Sequence, residues 1–140
     1  MEHLAILAKK RKILSKIISG EKTIESRWYV QKRTPYKKIQ KGEVIYFKEA
    51  GDPVRVKARV KEVLFFEDLN EERVKRILEE YGRRICIRVS YAPKLSGKKY
   101  CTLIFLEEVK TLENPFEVDK KGFGLMAAWI TTGSVERLKR

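Results

Sequence analysis

The stretch Ser19-Gly20-Glu21-Lys22-Thr23-Ile24-Glu25-Ser26-Arg27-Trp28-Tyr29 combines cationic, acidic, hydroxyl and aromatic side chains more densely than any other part of the chain. Apolar residues just before it recur at helical spacing, at Ile13, Leu14, Ile17 and Ile18. Gly20 suits the left-handed position just past a helix end. The pattern therefore predicts a short helix that ends near Gly20, then a strand, with polar side chains gathered at the corner between them.

The predicted strand, residues 23–29, has two different faces because side chains alternate along a strand. One face carries Ile24, Ser26 and Trp28, and the other carries Thr23, Glu25, Arg27 and Tyr29. We expect Ile24 and Trp28 to face the core, which leaves Glu25 and Arg27 close enough to pair. The competing interpretation is an exposed ion pair worth under ~1 kcal/mol, with the neighbouring lysine in solvent.

Residues 30–41 form a basic loop with a proline and an aromatic ring in its middle. Interleaved cations and rings are typical of single-stranded nucleic-acid binding, with cations on phosphates and a ring on a base. Arg33 and Tyr36 are the candidates in this loop, and Tyr29 and Tyr36 are better stacking candidates than Trp28. A solvated loop would also be basic, so both interpretations stay open.

Alternating or apolar runs predict further strands over residues 43–49, 54–61, 85–91 and 100–109. Residues 3–8 are either a strand or a first helical turn. The run 54–61 turns one face to the core and presents on the other the cations Arg55, Lys57, Arg59 and Lys61. That row is either a solvated face or a phosphate-binding stripe, and alternation alone favours solvation.

A second helix is predicted between these strands. Asn70 suits its N-cap, Glu71 and Glu72 suit its first turn, and Gly82 follows its end. Farther on, Asn114-Pro115 is expected to break the last long strand. The phase break at residues 63–66 indicates a bulge or bend. These features are ordinary fold construction.

The chain has the size of one domain, with 140 residues. Five or six short strands and two or three short helices predict an α+β fold, and strand-rich chains of this size remove their edges by closing into a barrel. We therefore expect residues 1–140 to form a single small barrel domain, with basic residues at one mouth.

The charge is strongly unbalanced: 32 Lys and Arg face 19 Asp and Glu, for a formal net charge of +13. A folded basic domain attracts polyanions, of which nucleic acid is the commonest. The alternative is a heat-adapted surface with ion-pair networks, which explains many charges but not the excess of one sign.

The sequence predicts neither a metal site nor a membrane-spanning segment. The sequence has two cysteines, Cys86 and Cys101, and one histidine, His3, which are too scattered for a structural zinc site. The cysteines are expected to be buried thiols, with a disulfide as the alternative. No secretory layout and no apolar run near the ~20 residues of a spanning helix are present. We expect a soluble cytoplasmic protein that uses no metal or cofactor and binds no membrane.

The residues Gly20-Glu21-Lys22-Thr23-Ile24-Glu25-Ser26-Arg27 resemble the motif Gly-x-Lys-x-x-Glu-x-Arg of the ASCH domain family, which belongs to the PUA-like superfamily. The resemblance covers residues 14–29, extends through Lys48, and beyond that rests on strand order and the terminal aromatic segment 123–129. It implies a small, partly open mixed β-barrel with a cleft lined by Lys22, Glu25 and Arg27.

The resemblance also implies what the cleft does. Most of the family is regarded as RNA-binding, and some small relatives are amidohydrolases that act on an acetylated cytidine. Their catalytic lysine falls on Lys22, but their threonine falls on Glu25, and Thr23 is only a neighbouring hydroxyl. Ribonuclease activity has been attributed to at least one member.

Elementary chemistry favours binding over catalysis. An ionised Glu25 held by two cations is a good orienting group and a poor acid, and a histidine pair for phosphodiester cleavage is excluded. We expect RNA or a modified nucleoside in the cleft; the alternatives are a hydrolase, with Lys22, Glu25 and Thr23 as catalytic candidates, and a regulatory protein-interaction module. The expected binding residues are Lys22, Glu25, Ser26, Arg27, Tyr29, Arg33, Tyr36 and Lys48.

Overall fold

The computed structural model describes residues 1–124 and 126–140 and contains, in those residues, six strands and two α-helices. The strands are β1 (Glu2–Leu7), β2 (Ile24–Tyr29), β3 (Val44–Glu49), β4 (Val54–Phe66), β5 (Tyr100–Phe116) and β6 (Trp129–Thr132). The helices are α1 (Ile13–Ser19) and α2 (Glu71–Ile85), and short 3-10 segments cover Lys9–Arg11, Val89–Leu95 and Glu136–Leu138. The predicted α+β class and small mixed barrel are confirmed.

The strands form one sheet in the order β2-β5-β4-β3-β1-β6. β1 runs parallel to β3, and the other neighbouring pairs are antiparallel. The ambiguous N-terminal run is thus a strand inside the sheet, between β3 and β6, and β2 and β6 are the edges. The sheet curls into a half-barrel, so these two edge strands approach each other at its opening.

The helix-to-strand corner forms as the sequence predicts. Leu14 and Ile17 of α1 are buried, and Gly20 ends the helix at φ 84°, with its N–H donating to the carbonyl of Ile17 at 3.2 Å. Glycine adopts this left-handed conformation without the steric cost that a Cβ would bring. The amide of Lys22 then donates to the carbonyl of Lys16 at 3.0 Å, which tightens the corner.

Helix α2 covers one face of the sheet. Its N-cap Asn70 accepts a hydrogen bond from the amide of Arg73 at 2.9 Å, as predicted. The helix buries its apolar side in a cluster that includes Val74, Leu78, Ile24 of β2 and Leu103 of β5. A separate cluster fills the barrel interior, so β2 has a core on one side and the barrel opening on the other.

The predicted strand over residues 85–91 is wrong. Helix α2 continues through Gly82 to Ile85, the chain reverses at Cys86 with φ 68°, and a 3-10 segment follows. The amide of Ile87 donates to the carbonyl of Gly82 at 3.0 Å, so the chain folds back on the helix end. The alternating apolar residues pack into the cluster beneath α2 without joining the sheet.

The predicted break at Pro115 is also wrong, because β5 continues to Phe116. Pairing of β5 with β4 shifts register between Val54 and Val56, opposite Phe116 and Thr111. The residues around Pro115 fall in this irregular stretch, where a missing N–H disrupts no regular ladder. Both cysteines are free, with Cys101 buried and Cys86 half-buried. None of the described helices combines the length and apolar character needed to cross a bilayer.

Candidate ligand-binding cleft

Lys22, Glu25 and Arg27 converge at the corner between α1 and β2. The ammonium of Lys22 lies 3.4 Å from Glu25 Oε1, and Arg27 Nη2 donates to Glu25 Oε2 at 3.2 Å. The side chains of Lys22, Glu25 and Arg27 are only 5%, 4% and 14% exposed. The interpretation of an exposed surface ion pair is therefore excluded.

Lys22 is held by the end of a helix as well as by Glu25. Its Nζ donates to the carbonyl of Ile85, the last residue of α2, at 2.6 Å. The final carbonyls of a helix lack intrahelical partners and carry the negative end of the helix dipole. A buried ammonium is well placed there, so the competing interpretation of a lysine in solvent is excluded and Lys22 is a fixed element of the site.

Glu25 is ionised in this setting. Burial alone would raise the pKa of its carboxyl, but the charges of Lys22 and Arg27 and their hydrogen bonds outweigh it and bring the pKa below its ordinary value. The amide of Ser26 also donates to Glu25 Oε1 at 3.1 Å. These donors fix the orientation of the carboxylate.

Arg27 joins the two edges of the half-barrel. Its Cζ lies 5.1 Å from the centroid of the Trp129 ring, which begins β6. Its Nη1 donates over 3.5 Å to the carbonyl of Ala128. Arg27 therefore bridges the two edge strands while it holds Glu25.

Trp129 is in turn fixed by a buried histidine. Its Nε1 donates to His3 Nδ1 at 3.2 Å, and His3 Nε2 lies 2.8 Å from Glu43 Oε1. Because an indole nitrogen can only donate, Nδ1 accepts and the imidazole proton is on Nε2. Burial lowers the pKa of His3, although Glu43 opposes the shift.

A cleft of about 710 Å³ opens beside these residues, along the unpaired edge of β2. Side chains from both faces of this edge strand line it. Its floor is Glu25 and Ser26, and its aromatic walls are Trp28, Tyr29 and Tyr91. The cations that line it with Arg27 are Arg11, Lys94, Lys98 and Lys120.

No family model matches the sequence, and no curated protein matches it. Solved structures do match. The ASCH protein from Zymomonas mobilis superposes with a TM-score of 0.70 at 18% identity, over 97% of this chain and 90% of that one. The chain has the ASCH fold.

Two further structures support this fold. A tyrosine-to-phenylalanine variant of the Zymomonas mobilis protein gives a TM-score of 0.71 at 18% identity, over 97% of this chain and 93% of that chain. The hypothetical protein PH0355 superposes with a TM-score of 0.50 at 20% identity, over 80% of this chain and 100% of that chain. At these identities the likeness establishes the fold, and the role of the cleft has to be argued from its residues.

Of the predicted binding residues, the ASCH fold brings five together. Glu25, Ser26, Arg27 and Tyr29 line the cleft, and Lys22 lies behind Glu25. The Ser26 hydroxyl accepts from Trp28 Nε1 at 2.9 Å. The Tyr29 hydroxyl donates to the carbonyl of Thr34 at 3.2 Å, and burial raises its pKa despite nearby Arg27.

The other candidates lie outside the cleft. Tyr36 is 5% exposed and packs edge-on against Phe65 and Tyr100, so its predicted role as a stacking platform is wrong. Arg33 is exposed on the loop. Lys48 is 8% exposed, and burial and the charge of Lys120 lower its pKa. The Thr23 hydroxyl accepts from Arg84 Nε at 3.1 Å.

Several cleft residues were missed from the sequence. Tyr91 and Lys94 come from the 3-10 segment, with Lys94 Nζ 5.5 Å from the Tyr91 ring centroid. In the sequence, the spacing Tyr-x-x-Lys within a lysine-rich loop is the pattern that could have predicted their place in the cleft. Trp129 does not line the cleft but contacts Arg27, which does; the sequence singles it out only within the segment 123–129, of which residue 125 lies outside the described residues. Within residues 1–124 and 126–140, no group of three or more His, Cys, Asp and Glu is arranged to hold a metal ion.

Proposed function

We propose that the protein binds RNA through this cleft, with one base or nucleoside inside and phosphates on its rim. The observation that carries the proposal is the buried Glu25 carboxylate at the floor of a concave site with aromatic walls and a cationic rim. The volume of about 710 Å³ falls within the ~300–1,000 Å³ typical of small-ligand sites.

The rim supplies the attraction for phosphates. Arg11 and Lys94 are exposed and Lys98 is half-buried, and all three line the cleft. The net charge of +13 adds a long-range attraction for a polyanion. Cations around a site that takes one base are the arrangement expected for single-stranded nucleic acid.

The interior suits a nucleobase. Trp28 and Tyr91 are half-buried, so part of each ring remains available for stacking. A carboxylate has about four acceptor positions, and Glu25 uses three for Lys22, Arg27 and the Ser26 amide. The remaining position can accept from an amino or imino group on a base edge.

A salt titration tests the proposal. Binding of a fluorescent single-stranded RNA is followed by anisotropy at several salt concentrations. We expect the logarithm of the affinity to fall with the logarithm of the salt concentration, by about 0.7 per phosphate contacted. The double variant K94E/K98E should bind far more weakly than the exposed helix variant Lys75→Glu. An affinity that ignores salt, or equal losses in both variants, would exclude rim contacts to phosphates.

The contacts of Lys22 and Thr23 bear on the hydrolase alternative, and an activity assay tests it. The Lys22 ammonium is engaged by Ile85 and Glu25, and the Thr23 hydroxyl faces Arg84, so neither is set up as a nucleophile with a base. A panel of modified cytidines with mass detection is therefore expected to return unchanged. If the protein converts one of these nucleosides and Lys22→Ala abolishes the conversion, the cleft is a hydrolase site and the binding proposal is wrong. If a pull-down gives a complex that survives nuclease treatment, the partner is a protein.

A further inference from the structure

A second chamber of about 470 Å³ adjoins the cleft on the other side of Glu25. It lies between α1 and the segment that reverses the chain after α2. The side chains that line it and not the first cleft include Lys16, Lys22, Cys86, Arg88 and Ser90. Its volume also falls within the ~300–1,000 Å³ of small-ligand sites.

The two spaces share lining residues and lie next to each other. Glu25, Ser26 and Trp28 of β2 line both, and so do Tyr91 and Arg11. Two half-buried rings, Trp28 and Tyr91, therefore border both chambers. A ligand unit in one chamber would lie next to a unit in the other, with an aromatic ring beside each.

The charges of the second chamber favour an anionic ligand unit. Arg11 and Arg88 are exposed, and Lys16 is partly exposed, at its edge. The only acid among its described lining residues is Glu25, whose charge is already balanced by Lys22 and Arg27. The remaining cations leave the chamber with a net positive surface that suits a phosphate.

We propose that the second chamber binds the nucleotide adjacent to the one in the first cleft, so that the site recognises two consecutive nucleotides across Glu25. This inference rests on the proposed RNA binding. Successive bases that stack on aromatic side chains while cations follow the backbone are the usual arrangement for a single strand. The preferred ligand is then an oligonucleotide and not a free nucleoside.

The experiment compares ligands of increasing length by calorimetry. The probes are the four nucleoside 5′-monophosphates and the matching 5′-phosphorylated dinucleotides. One more stacked base should strengthen binding by about tenfold. Arg88 lines the second chamber and not the first cleft, so Arg88→Glu should remove most of this gain and leave mononucleotide binding unchanged. Arg88→Lys should retain the gain.

Two further variants complete the design. Lys98→Glu, which alters the first cleft alone, should weaken mononucleotides and dinucleotides alike. Lys75→Glu makes the same charge change on exposed α2 and should affect neither. If mononucleotides bind but dinucleotides bind no more tightly, or if Arg88→Glu acts no differently from Lys75→Glu, the second subsite is overturned and RNA binding in the first cleft survives. If no nucleotide binds, both proposals fail.

Discussion

Arg27 lies over the indole ring of Trp129, with its Cζ 5.1 Å from the ring centroid, while its Nη2 holds Glu25 at 3.2 Å. Arg27 belongs to β2 and Trp129 to β6, the two edges of the sheet. A guanidinium is flat and can stack on a ring and donate in its own plane at once. The candidate site thus forms where the half-barrel stays open, and one side chain spans the opening.

Replacement of Arg27 by lysine should weaken both the fold and the site. An ammonium cannot stack and donate in this geometry, so Arg27→Lys should lower the free energy of unfolding by ~1–2 kcal/mol and reduce RNA affinity. Urea denaturation and anisotropy measure the two effects. Arg59→Lys is the control, because Arg59 forms an exposed pair with Glu108. Equal effects of the two replacements would contradict the bridging role of Arg27.

Removal of the Glu25 charge should be strongly destabilising. Glu25→Gln leaves the buried ammonium of Lys22 without its carboxylate, and breaking a buried pair in this way costs about 3–5 kcal/mol. Glu108→Gln removes an exposed partner and should cost less than ~1 kcal/mol. Chemical denaturation of the two variants gives the comparison. A loss for Glu25→Gln no larger than that for Glu108→Gln would mean that the buried pair contributes no more than a surface pair.

The contribution of Glu25 to stability should depend on pH in the acid range. Its folded-state pKa lies below the ordinary value near 4.5, so the unfolded chain binds the proton more readily. The stabilisation is present above the ordinary pKa and is lost as the pH falls through the folded pKa. The difference in unfolding free energy between the parent protein and Glu25→Gln should therefore shrink from about pH 6 to about pH 3. A difference that stays constant over this range would refute the lowered pKa.

His3 should resist protonation. It is 0% exposed, and its Nδ1 accepts from Trp129 while burial lowers its pKa from 6.5. The unfolded chain binds more protons between the two pKa values, so stability should fall as the pH falls through that window. Because the chain has one histidine, proton NMR can follow its imidazole directly.

The control for His3 is the same titration in concentrated urea, where the pKa should return to about 6.5. Glu43→Gln should lower the folded-state pKa further, because Glu43 favours the charged imidazole. A folded-state pKa at or above the urea value would show that the imidazole is not held neutral.

Tyr91 should act as a stacking residue. Tyr91→Ala should reduce RNA affinity by ~1–3 kcal/mol, the usual loss when a stacking ring is removed. Tyr81→Ala is a matched control, because Tyr81 is also half-buried but packs against Phe105 outside the cleft. Anisotropy on folded variants makes the comparison, and equal losses would exclude a direct contact between Tyr91 and RNA.

Local signals in the sequence predicted the elements that carry the site. Gly20 and Asn70 each perform a task confined to neighbouring residues, so a glycine at a helix end and a capping amide could be read without knowledge of the fold. The alternation along residues 23–29 likewise placed Ile24 toward the core and Glu25 toward the opening. These predictions depend on contacts within a few residues.

Predictions that depended on distant contacts failed. The run Ile85, Ile87 and Val89 alternates like a strand, but it packs beneath α2 after the reversal at Cys86. The sequence predicts a ring at Tyr36 that is free to stack, yet Phe65 and Tyr100 pack against it. Neither outcome could be read from residues nearby in sequence. For the same reason, the sequence did not predict that Tyr91 lines the cleft or that Arg27 lies over the Trp129 ring.

Gly82 does not line the second chamber, yet it controls the volume that is available to a ligand there. Its missing Cβ would lie 2.6 Å from the carbonyl oxygen of Ile87. Any larger residue would push that peptide outward, and with it the wall formed by Cys86, Arg88 and Ser90. The volume of the second chamber therefore depends on the absence of a Cβ atom at Gly82, which lies behind the segment that lines the chamber.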